Sequence, residues 1–358
     1  MNESRRSCSC ELAIATEGML RMATLLPLPG LLGHHGVDAE VVFREAEVDP
    51  GLFTDAENVI PLAKVGRLLA LAAEAGGGSA LGLELGSRSG VDVLGAVGRA
   101  IRLAPDLGAA LRALILHLHL HNSGSVPTLW EGTTLATFGY TIYCPNIPGI
   151  ELVYDGSMAI AYNVLVELAG PGWRPSEVRL HRYKPTDITP YQKHFGVPLR
   201  FGADHAALVF PSADLARPLA SADPILYGHS LAGLRQKDAS GLSGQVHRLL
   251  LRLFISGSGY DGVTLAHVAP LFELKPRTLN RRLRAEGTTF VALLVRVRYE
   301  IARQLLRDTR MRLTDIATIL GYAETASFCR AFQRWSGTTA TAWRSAYGTW
   351  SGRESARG

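Results

Sequence analysis

Side chains that could bind nucleic acid are concentrated in the carboxyl-terminal third of the 358-residue chain, where they recur at helical spacing. Arginine can form paired hydrogen bonds with guanine and asparagine with adenine, while lysine, arginine and hydroxyl side chains can contact phosphates. The predicted DNA contacts are Arg277, Asn280, Arg281 and Arg330 to bases, Lys275 and Arg284 to phosphates, and Thr325, Ser327 and Arg334 to either. The alternative is that these side chains only form a solvated helix face. The secondary structure that carries them distinguishes this alternative from DNA binding.

Residues 313–337 predict two short amphipathic helices with a break at Gly321. Apolar residues repeat there at three- and four-residue intervals on both sides of the glycine. They are Ile316, Ala317, Leu320, Phe328, Ala331 and Phe332. Gly321 is expected to adopt the left-handed conformation that such a turn needs. This pattern is typical of a helix-turn-helix unit.

A second unit of the same kind is predicted over residues 264–287. Thr264 is a suitable N-cap for its first helix, and Pro276 suits the first position of its second helix. Leu279 and Leu283 then face inward, which leaves the neighbouring arginines outward. Pro270 falls inside the first helix, where a proline removes a hydrogen bond and can kink the helix.

Residues 288–308 carry an apolar stripe at helical spacing and predict one long helix between the two units. About twenty helical residues span roughly 30 Å, close to the roughly 34 Å between successive major-groove faces of a duplex. The carboxyl-terminal region is therefore expected to be an all-α domain with two helix-turn-helix units joined by a long linker helix. One such domain could contact two adjacent turns of DNA.

The composite of motifs in this region resembles the DNA-binding domain of the AraC/XylS family of transcription regulators. The motifs are L-x-R-R-L from Leu279, F-x-x-x-L-x-x-x-R-x-x-x-A-x-x-L-L from Phe290, I-A-x-x-L-G-Y from Ile316 and F-x-R-A-F-x-R-W-x-G from Phe328. Ala340 departs from the family pattern, which usually has proline there, and Lys275 stands where a serine N-cap is usual. The resemblance implies a sequence-specific regulator of transcription, more often an activator, with double-stranded DNA and RNA polymerase as partners.

The charge distribution indicates that the two parts of the chain bind different kinds of partner. Residues 241–358 hold 18 Lys and Arg against 8 Asp and Glu, whereas residues 1–240 hold 19 against 24. A basic module beside a mildly acidic one fits nucleic-acid binding by the first and binding of a small molecule or protein by the second.

The first 220 residues predict an α+β domain with helices first and a small sheet later. Helices are expected over residues 58–75, 81–89, 150–168 and 187–195, and through most of 92–121. Alternating residues on both sides of Glu131-Gly132 predict a β-hairpin, and short strands are expected at 177–181 and 206–210. The predicted organisation is a sensor and dimerisation domain at 1–220, a linker at 221–244, a DNA-binding domain at 245–348 and a disordered tail at 349–358.

Three further motifs, W-R-P-S-E-V from Trp173, Y-Q-K-H-F-G-V-P-L-R-F from Tyr191 and L-V-F-P-S-A-D-L-A-R-P-L from Leu208, lie in this domain. They resemble the amino-terminal domain of the OruR-like branch of the same family, which is called an arabinose-binding-type domain. The resemblance implies a sensor for a small-molecule effector, whose identity it does not give. Trp130, Phe138 and Tyr140 are the candidate wall residues of the binding pocket.

Neither catalysis nor a cofactor is predicted. No nucleophile elbow, phosphate-binding loop or zinc-protease motif occurs, and Cys8, Cys10, Cys144 and Cys329 are too scattered for a disulfide framework or a zinc site. His117, His119 and His121 could share a face, but no Cys, Asp or Glu accompanies them nearby, so pocket-wall or half-exposed histidines are favoured over a metal site.

No apolar run is long enough to span a membrane, and a homodimer in the cytoplasm is expected. Two alternatives to an effector-controlled regulator stay open. The first is a constitutive DNA-binding protein whose amino-terminal domain only dimerises, and the second, less favoured, is an enzyme fused to a DNA-binding domain.

Overall fold

The computed structural model describes residues 18–142, 144, 147–237, 241–255, 263–272, 274–309 and 311–348. These residues separate into two compact units, one ending at Gly241 and the other beginning at Leu242. The predicted disordered tail, residues 349–358, lies outside the described residues, as do Cys8 and Cys10.

The amino-terminal unit is a mixed domain of helices and strands. Its helices are α1 (Leu28–His34), α2 (Ala39–Glu45), α3 (Leu62–Ala72), α4 (Leu81–Ser87), α5 (Ala96–Arg102), α6 (Leu107–His117), α7 (Ile150–Ala169), α8 (Thr189–Phe195) and α9 (Pro224–Lys237). Its strands are β1 (Met19–Arg21), β2 (Val59–Pro61), β3 (Ser125–Glu131), β4 (Leu135–Ile142), β5 (Glu177–Arg179), β6 (Leu199–Arg200) and β7 (Ala206–Pro211).

The larger of the described sheets has the strand order β3-β4-β7-β5-β6, and only its β5 and β6 pair in parallel. The predicted hairpin is confirmed as β3 and β4, with Leu129 opposite Phe138 and Pro127 opposite Tyr140. Residues opposite each other in a sheet share a face, so these four side chains lie on one side of the hairpin. The smaller sheet pairs β1 with β2.

Helix α7 is the centre of this unit, because it packs on α3, α4 and α8 and on strands β4 and β7. Its contact with α4 is a backbone contact that only glycine permits. A Cβ atom at Gly82 would overlap the carbonyl oxygen of Leu152, and one at Gly86 would overlap that of Gly156.

A buried ion pair fixes α7 to the segment between β5 and α8. Arg182 Nη1 donates to Asp155 Oδ2 at 2.5 Å and to the Ser79 carbonyl at 2.8 Å. The Tyr191 hydroxyl donates to the same carboxylate at 2.7 Å. Asp155 precedes Gly156 and Ser157, so this pair positions the part of α7 that lines the cavity of this unit.

Two predictions for this unit need correction. The helix expected to begin at Asn58 begins at Leu62, because Val59–Pro61 pairs as a strand with Met19–Arg21 and the fixed φ of Pro61 suits an extended residue ahead of the helix. The segment expected as a linker, 221–244, contains α9. Its Leu234 is buried, and the Tyr227 hydroxyl donates to the Ala109 carbonyl at 3.1 Å, so this helix packs on the amino-terminal unit.

The carboxyl-terminal unit is helical among its described residues. Its helices are α10 (Gly241–Ile255), α11 (Leu265–Val268), α12 (Pro276–Ala285), α13 (Phe290–Asp308), α14 (Leu313–Ile319), α15 (Thr325–Ser336) and α16 (Ala340–Tyr347). Helix α11 ends early and continues as a 3-10 turn over Ala269–Phe272, which contains Pro270. Pro276 begins α12 as predicted, and Gly321 has the predicted left-handed conformation with a φ of 73°.

Helix α13 is the structural axis of this unit and packs on α14, α15 and α16. Arg298 on α13 is buried, with its guanidinium 5.1 Å from the centre of the Tyr322 ring and 5.9 Å from that of Phe254. A cation over an aromatic face is attracted by the ring quadrupole, so Arg298 holds the turn after α14 and the helix α10 to the same side of α13. Glu300 on α13 accepts from His247 on α10 at 2.9 Å and therefore joins the same two helices.

Candidate functional site

The first candidate surface is the outer side of α12. Lys275, Arg277, Arg281 and Arg284 are all exposed, whereas Leu279 and Leu283 are completely buried. Residues 277, 281 and 284 are four and three positions apart, so their side chains lie on one helix face. No acidic residue occurs between Leu274 and Ala285 in the sequence, so this face is strongly positive.

Asn280 is placed differently from the arginines around it. Its side chain is half-buried, and its Oδ1 lies 3.5 Å from the Phe290 amide at the start of α13. The amide group is therefore turned towards the next helix in this structure, and a contact with adenine would require it to rotate.

The second candidate surface is the outer side of α15. Arg330 and Arg334 are exposed, and Thr325 and Ser327 are half-buried. Arg330 Nη2 donates to Ser327 Oγ at 3.1 Å, so the hydroxyl orients the guanidinium. Phe328 and Phe332 are completely buried on the opposite side, which fixes the helix rotation that presents the two arginines to solvent.

Two exposed residues beside these surfaces were not singled out in the sequence. Arg282 is the next residue after Arg281, and Gln333 lies three positions after Arg330, within one turn of α15. Both have side chains that can hydrogen-bond bases or phosphates. Counting every polar position opposite the buried leucines and phenylalanines would have found them.

A different kind of site lies inside the amino-terminal unit, where a cavity of about 90 Å³ is lined by residues of α3, α4, α6, α7 and the β3–β4 hairpin. Most of its lining is aliphatic. The aliphatic and aromatic side chains include Leu62, Val65, Leu69, Leu85, Leu114, Leu118, Phe138, Leu152, Val153, Ile160 and Val164. Gly82, Gly86 and Gly156 also line it, so the close crossing of α4 and α7 forms part of the wall.

The lining also contains a few polar side chains. Two of them, Asn122 and Tyr140, are hydrogen-bonded to each other. Asn122 Nδ2 donates to the Tyr140 hydroxyl at 2.9 Å, and Asn122 Oδ1 accepts from the Gly124 amide at 2.9 Å. Burial raises the pKa of Tyr140 despite its hydrogen bonds, so its hydroxyl stays protonated. The hydroxyl accepts from Asn122 and has the Ser125 and Ser157 hydroxyls as further hydrogen-bonding neighbours.

His121 is the second polar feature of the lining. Burial, with a smaller effect from the charge of Arg21, lowers the pKa of His121 to about 3. The ring is therefore neutral at physiological pH. Its buried Nδ1 has no hydrogen-bond partner among the described residues. Leaving such an atom unsatisfied costs roughly 1–3 kcal/mol.

Phe138 and Tyr140, both predicted as pocket walls, line this cavity. The assignment of Trp130 to the wall is corrected, because its side chain is 70% exposed. The hairpin register pairs Trp130 with Thr137 and Leu129 with Phe138, so Trp130 points to the opposite face of the sheet.

The three histidines of the H-L-H-L-H run lie in different local environments. His117 ends α6, His119 lies in the 3-10 turn that follows with its ring 6.4 Å from that of His117, and His121 faces the cavity. Among the residues that the structure describes, no group of three or more His, Cys, Asp or Glu side chains is placed to hold a metal ion. Within the same ranges no single helix is long and apolar enough to cross a membrane, although the bent pair 62–77 and 81–87 reaches that length and composition together.

Known families cover both units. The model of the arabinose-binding domain of AraC transcription regulators matches residues 36–219, and a helix-turn-helix domain model matches residues 268–346. The chain belongs to the AraC family of transcription regulators. This AraC-family regulator thus combines a DNA-binding helix-turn-helix domain with an arabinose-binding-type amino-terminal domain, as the motifs predicted.

Similar full-length proteins are regulators as well. The HTH-type transcriptional regulator VirS of Mycobacterium tuberculosis is 29% identical over 341 residues, covering 94% of this chain and 98% of VirS. The ornithine utilization regulator of Pseudomonas aeruginosa is 27% identical over 336 residues, covering 92% of this chain and 98% of that protein. The crystal structure of the regulator CdpR from Pseudomonas aeruginosa covers 86% of this chain and 96% of its own, with 24% identity and a TM-score of 0.43. The matched families and relatives are regulators, which agrees with the prediction that the protein is not an enzyme.

Proposed function

We propose that this AraC-family regulator activates transcription when a small-molecule effector occupies the cavity of its amino-terminal domain. The observation that carries the proposal is the cavity itself, a largely apolar space inside the amino-terminal unit with the hydrogen-bonded pair Asn122 and Tyr140 on its lining. In this proposal the arginines on the outer faces of α12 and α15 bind the operator DNA.

In this proposal α11 with α12 and α14 with α15 are the two helix-turn-helix units, and α13 is the linker helix between them. The 19 residues of α13 give it a length of about 28 Å. That length is close to the roughly 34 Å between major-groove faces one turn apart. Helices α12 and α15 would then each place their arginines in one of two successive grooves.

Base contacts are assigned to Arg277, Arg281 and Arg330, and phosphate contacts to Lys275 and Arg284. Thr325, Ser327 and Arg334 are assigned to bases or phosphates beside Arg330. Asn280 is kept as a candidate for adenine, on the condition that its amide leaves the Phe290 amide when DNA binds.

A homodimer in the cytoplasm that recruits RNA polymerase completes the proposal. The feature that supports dimerisation is Trp130, a 70% exposed tryptophan on β3, which is an edge strand of the described sheet. Unprotected edge strands readily pair with another chain. Trp130→Glu is therefore expected to convert a dimer to a monomer in sedimentation experiments, and a wild-type chain that sediments as a monomer would refute this part.

The test of effector control begins with an operator selected from random duplexes by the full chain and placed at a reporter promoter in a bacterial host. Fractionated metabolite extracts are then supplied, and reporter output is measured for the wild-type chain, Ala161→Leu and Ala161→Ser. Ala161 lines the cavity and is half-buried, so leucine narrows the space while serine keeps its volume.

We expect one or more fractions to raise the output of the wild-type chain and of Ala161→Ser, and to leave Ala161→Leu unresponsive although it still binds the operator. Equal wild-type output with and without every fraction would favour the constitutive alternative, in which the amino-terminal domain only dimerises.

A further inference from the structure

We propose that the cavity recognises a small uncharged alcohol or phenol: one ring or a short chain of apolar atoms carrying a single hydroxyl group. The inference that this ligand controls transcription rests on the proposed function. The inference that the ligand binds rests only on the lining of the cavity. It names a ligand class different from the sugar in the family's description.

The size of the cavity limits the ligand first. A cavity of about 150 Å³ lined by aliphatic and aromatic side chains accommodates benzene. The cavity here is about 90 Å³, so it limits the ligand to a short chain or at most one ring, and a ring requires the walls to move apart.

The apolar lining excludes sugars and amino acids. A sugar would bring several hydroxyl groups against the leucine and valine side chains of α3, α4 and α7. Transferring each polar group to an apolar site without a hydrogen bond is strongly unfavourable. L-Ornithine, which the name of one relative suggests for that relative, carries three charged groups, and no acidic side chain occurs among the described residues that line the cavity.

The charges around the cavity also exclude an anion such as a carboxylate. Among the described residues the lining contains no lysine, arginine or ionised histidine, because His121 is neutral. Arg21 is close enough to His121 to affect its pKa, but its guanidinium is paired with Glu57 and donates to the Val93 carbonyl at 3.3 Å. A buried carboxylate would therefore lack the charged partner that it needs.

The polar side chains on the lining select a hydroxyl group. Tyr140 accepts a hydrogen bond from Asn122, and the Ser157 hydroxyl, which also lines the cavity, is a hydrogen-bonding neighbour of Tyr140. Each hydroxyl group can donate one hydrogen bond and accept others. A ligand hydroxyl can therefore join the Tyr140 and Ser157 hydroxyls, accepting from one and donating to the other.

The test uses the full chain in calorimetric titrations with benzyl alcohol, toluene, benzoate, L-arabinose and L-ornithine. Benzyl alcohol and toluene share the ring and differ in the hydroxymethyl group. We expect benzyl alcohol to bind about tenfold more tightly than toluene, which corresponds to one hydrogen bond in a desolvated site. Benzoate, L-arabinose and L-ornithine should show no binding at millimolar concentration.

Tyr140→Phe identifies the hydrogen bond. This variant should lose the preference for benzyl alcohol over toluene while toluene binds as it does to the wild type. Tyr162→Phe is the matched control, because the Tyr162 hydroxyl is buried and donates to the Phe195 carbonyl at 2.8 Å without lining the cavity. It should keep the preference. A Ser157→Ala variant should also reduce the preference, which provides a second check if Tyr140→Phe folds poorly.

Several outcomes would overturn the proposed ligand class. These are equal binding of benzyl alcohol and toluene, tighter binding of benzoate, L-arabinose or L-ornithine, absence of binding by every probe, and a preference unchanged in both Tyr140→Phe and Ser157→Ala. The proposed function fails separately. If benzyl alcohol binds as expected but bound ligand leaves operator affinity and reporter output unchanged, the ligand class stands and effector control is wrong. If a metabolite fraction controls the reporter while no probe binds, effector control stands and the ligand class is wrong.

Discussion

Single side chains on α12 and α15 determine how this regulator would read DNA. A guanidinium that forms two hydrogen bonds with guanine distinguishes that base from the others, whereas an ammonium beside a phosphate gives affinity without sequence preference. Arg281 and Arg330 belong to the first class and Lys275 to the second in the proposed interface.

Arg281→Ala and Arg330→Ala are each expected to relax base preference in a different half of the operator. Each should cost about 1–3 kcal/mol of binding free energy if the paired contact to guanine exists. Arg312→Ala is the matched control, since Arg312 is exposed but paired with Asp315 on α14, and it should keep the base preference. The measurement is affinity for a set of single-base operator variants.

Lys275→Ala should instead weaken binding to all of these duplexes alike and reduce the salt slope by about one unit. An unchanged base preference in Arg281→Ala, together with complete loss in Arg330→Ala, would mean that only the second helix-turn-helix unit reads bases. The two-groove proposal would then be wrong.

His121 also gives a prediction about acid stability. In the folded state burial lowers the pKa of His121 to about 3, whereas in the unfolded chain the pKa of a histidine is about 6.5. The nearby Arg21, which is paired with Glu57, also lowers the pKa of His121. Between those values the unfolded state binds a proton that the folded state does not, so stability present above pH 6.5 is lost as the pH falls towards 3. His121→Gln should therefore lose less stability than the wild type, by up to about 1.4 kcal/mol per pH unit.

Urea unfolding at pH 7, 6 and 5 measures this difference. His194 and His205, whose pKa values burial also lowers, are common to both proteins and cancel in the comparison. The exposed His34→Gln is the control and should follow the wild type. Parallel stability curves for the wild type and His121→Gln would contradict the prediction.

The sequence located some of these side chains well and others poorly, for physical reasons. The outward arginines follow from helical spacing alone, and Phe138 and Tyr140 follow from strand alternation. Trp130 lies on the other face of the hairpin from Phe138, because the face of each residue depends on the register, which the Leu129–Phe138 pairing fixes. His121 could not be assigned, because its environment arises from β1 and the hairpin, far apart in the chain.

Among the secondary-structure elements, the crossing of α4 and α7 matters most for the cavity. The two backbones touch because Gly82, Gly86 and Gly156 have no side chains. Periodicity predicted both helices, but the contact between them is a tertiary feature that apolar spacing does not encode. The same limit explains the unpredicted β1–β2 pair, whose strands have only three residues each.

Gly82→Ala is expected to destabilise the protein by about 1–3 kcal/mol, because the added methyl group forces α4 and α7 apart. Gly33→Ala is the matched control, since a Cβ atom there meets nothing within 4 Å and the residue lies inside α1. That change should be neutral or stabilising by up to about 1 kcal/mol. Chemical unfolding measures both, and similar effects of the two substitutions would contradict the close crossing.

The Asp155–Arg182 pair gives a second prediction for α7. Asp155→Ala leaves a buried guanidinium without its carboxylate, so a loss of about 3–5 kcal/mol is expected. Glu131→Ala breaks the exposed pair with Arg112, whose side chains are 52% and 55% exposed, and should cost less than about 1 kcal/mol. Equal losses in urea unfolding would show that the buried pair does not hold α7.

At the scale of the whole molecule, the basic part and the mildly acidic part of the sequence correspond to two compact units. Coupling between a ligand site and a DNA site requires that the ligand bind two states of the protein with different affinity. The coupling is a property of the intact chain and is measured on it.

The most direct measurement is the affinity of the full chain for its selected operator with and without a ligand that calorimetry has shown to occupy the cavity. Effector control predicts a change of about 5- to 150-fold in the dissociation constant, the usual range for coupled sites. Ala161→Leu should bind the operator with the same affinity whether or not that ligand is added. An operator affinity of the wild-type chain that stays constant while its cavity fills would contradict the account.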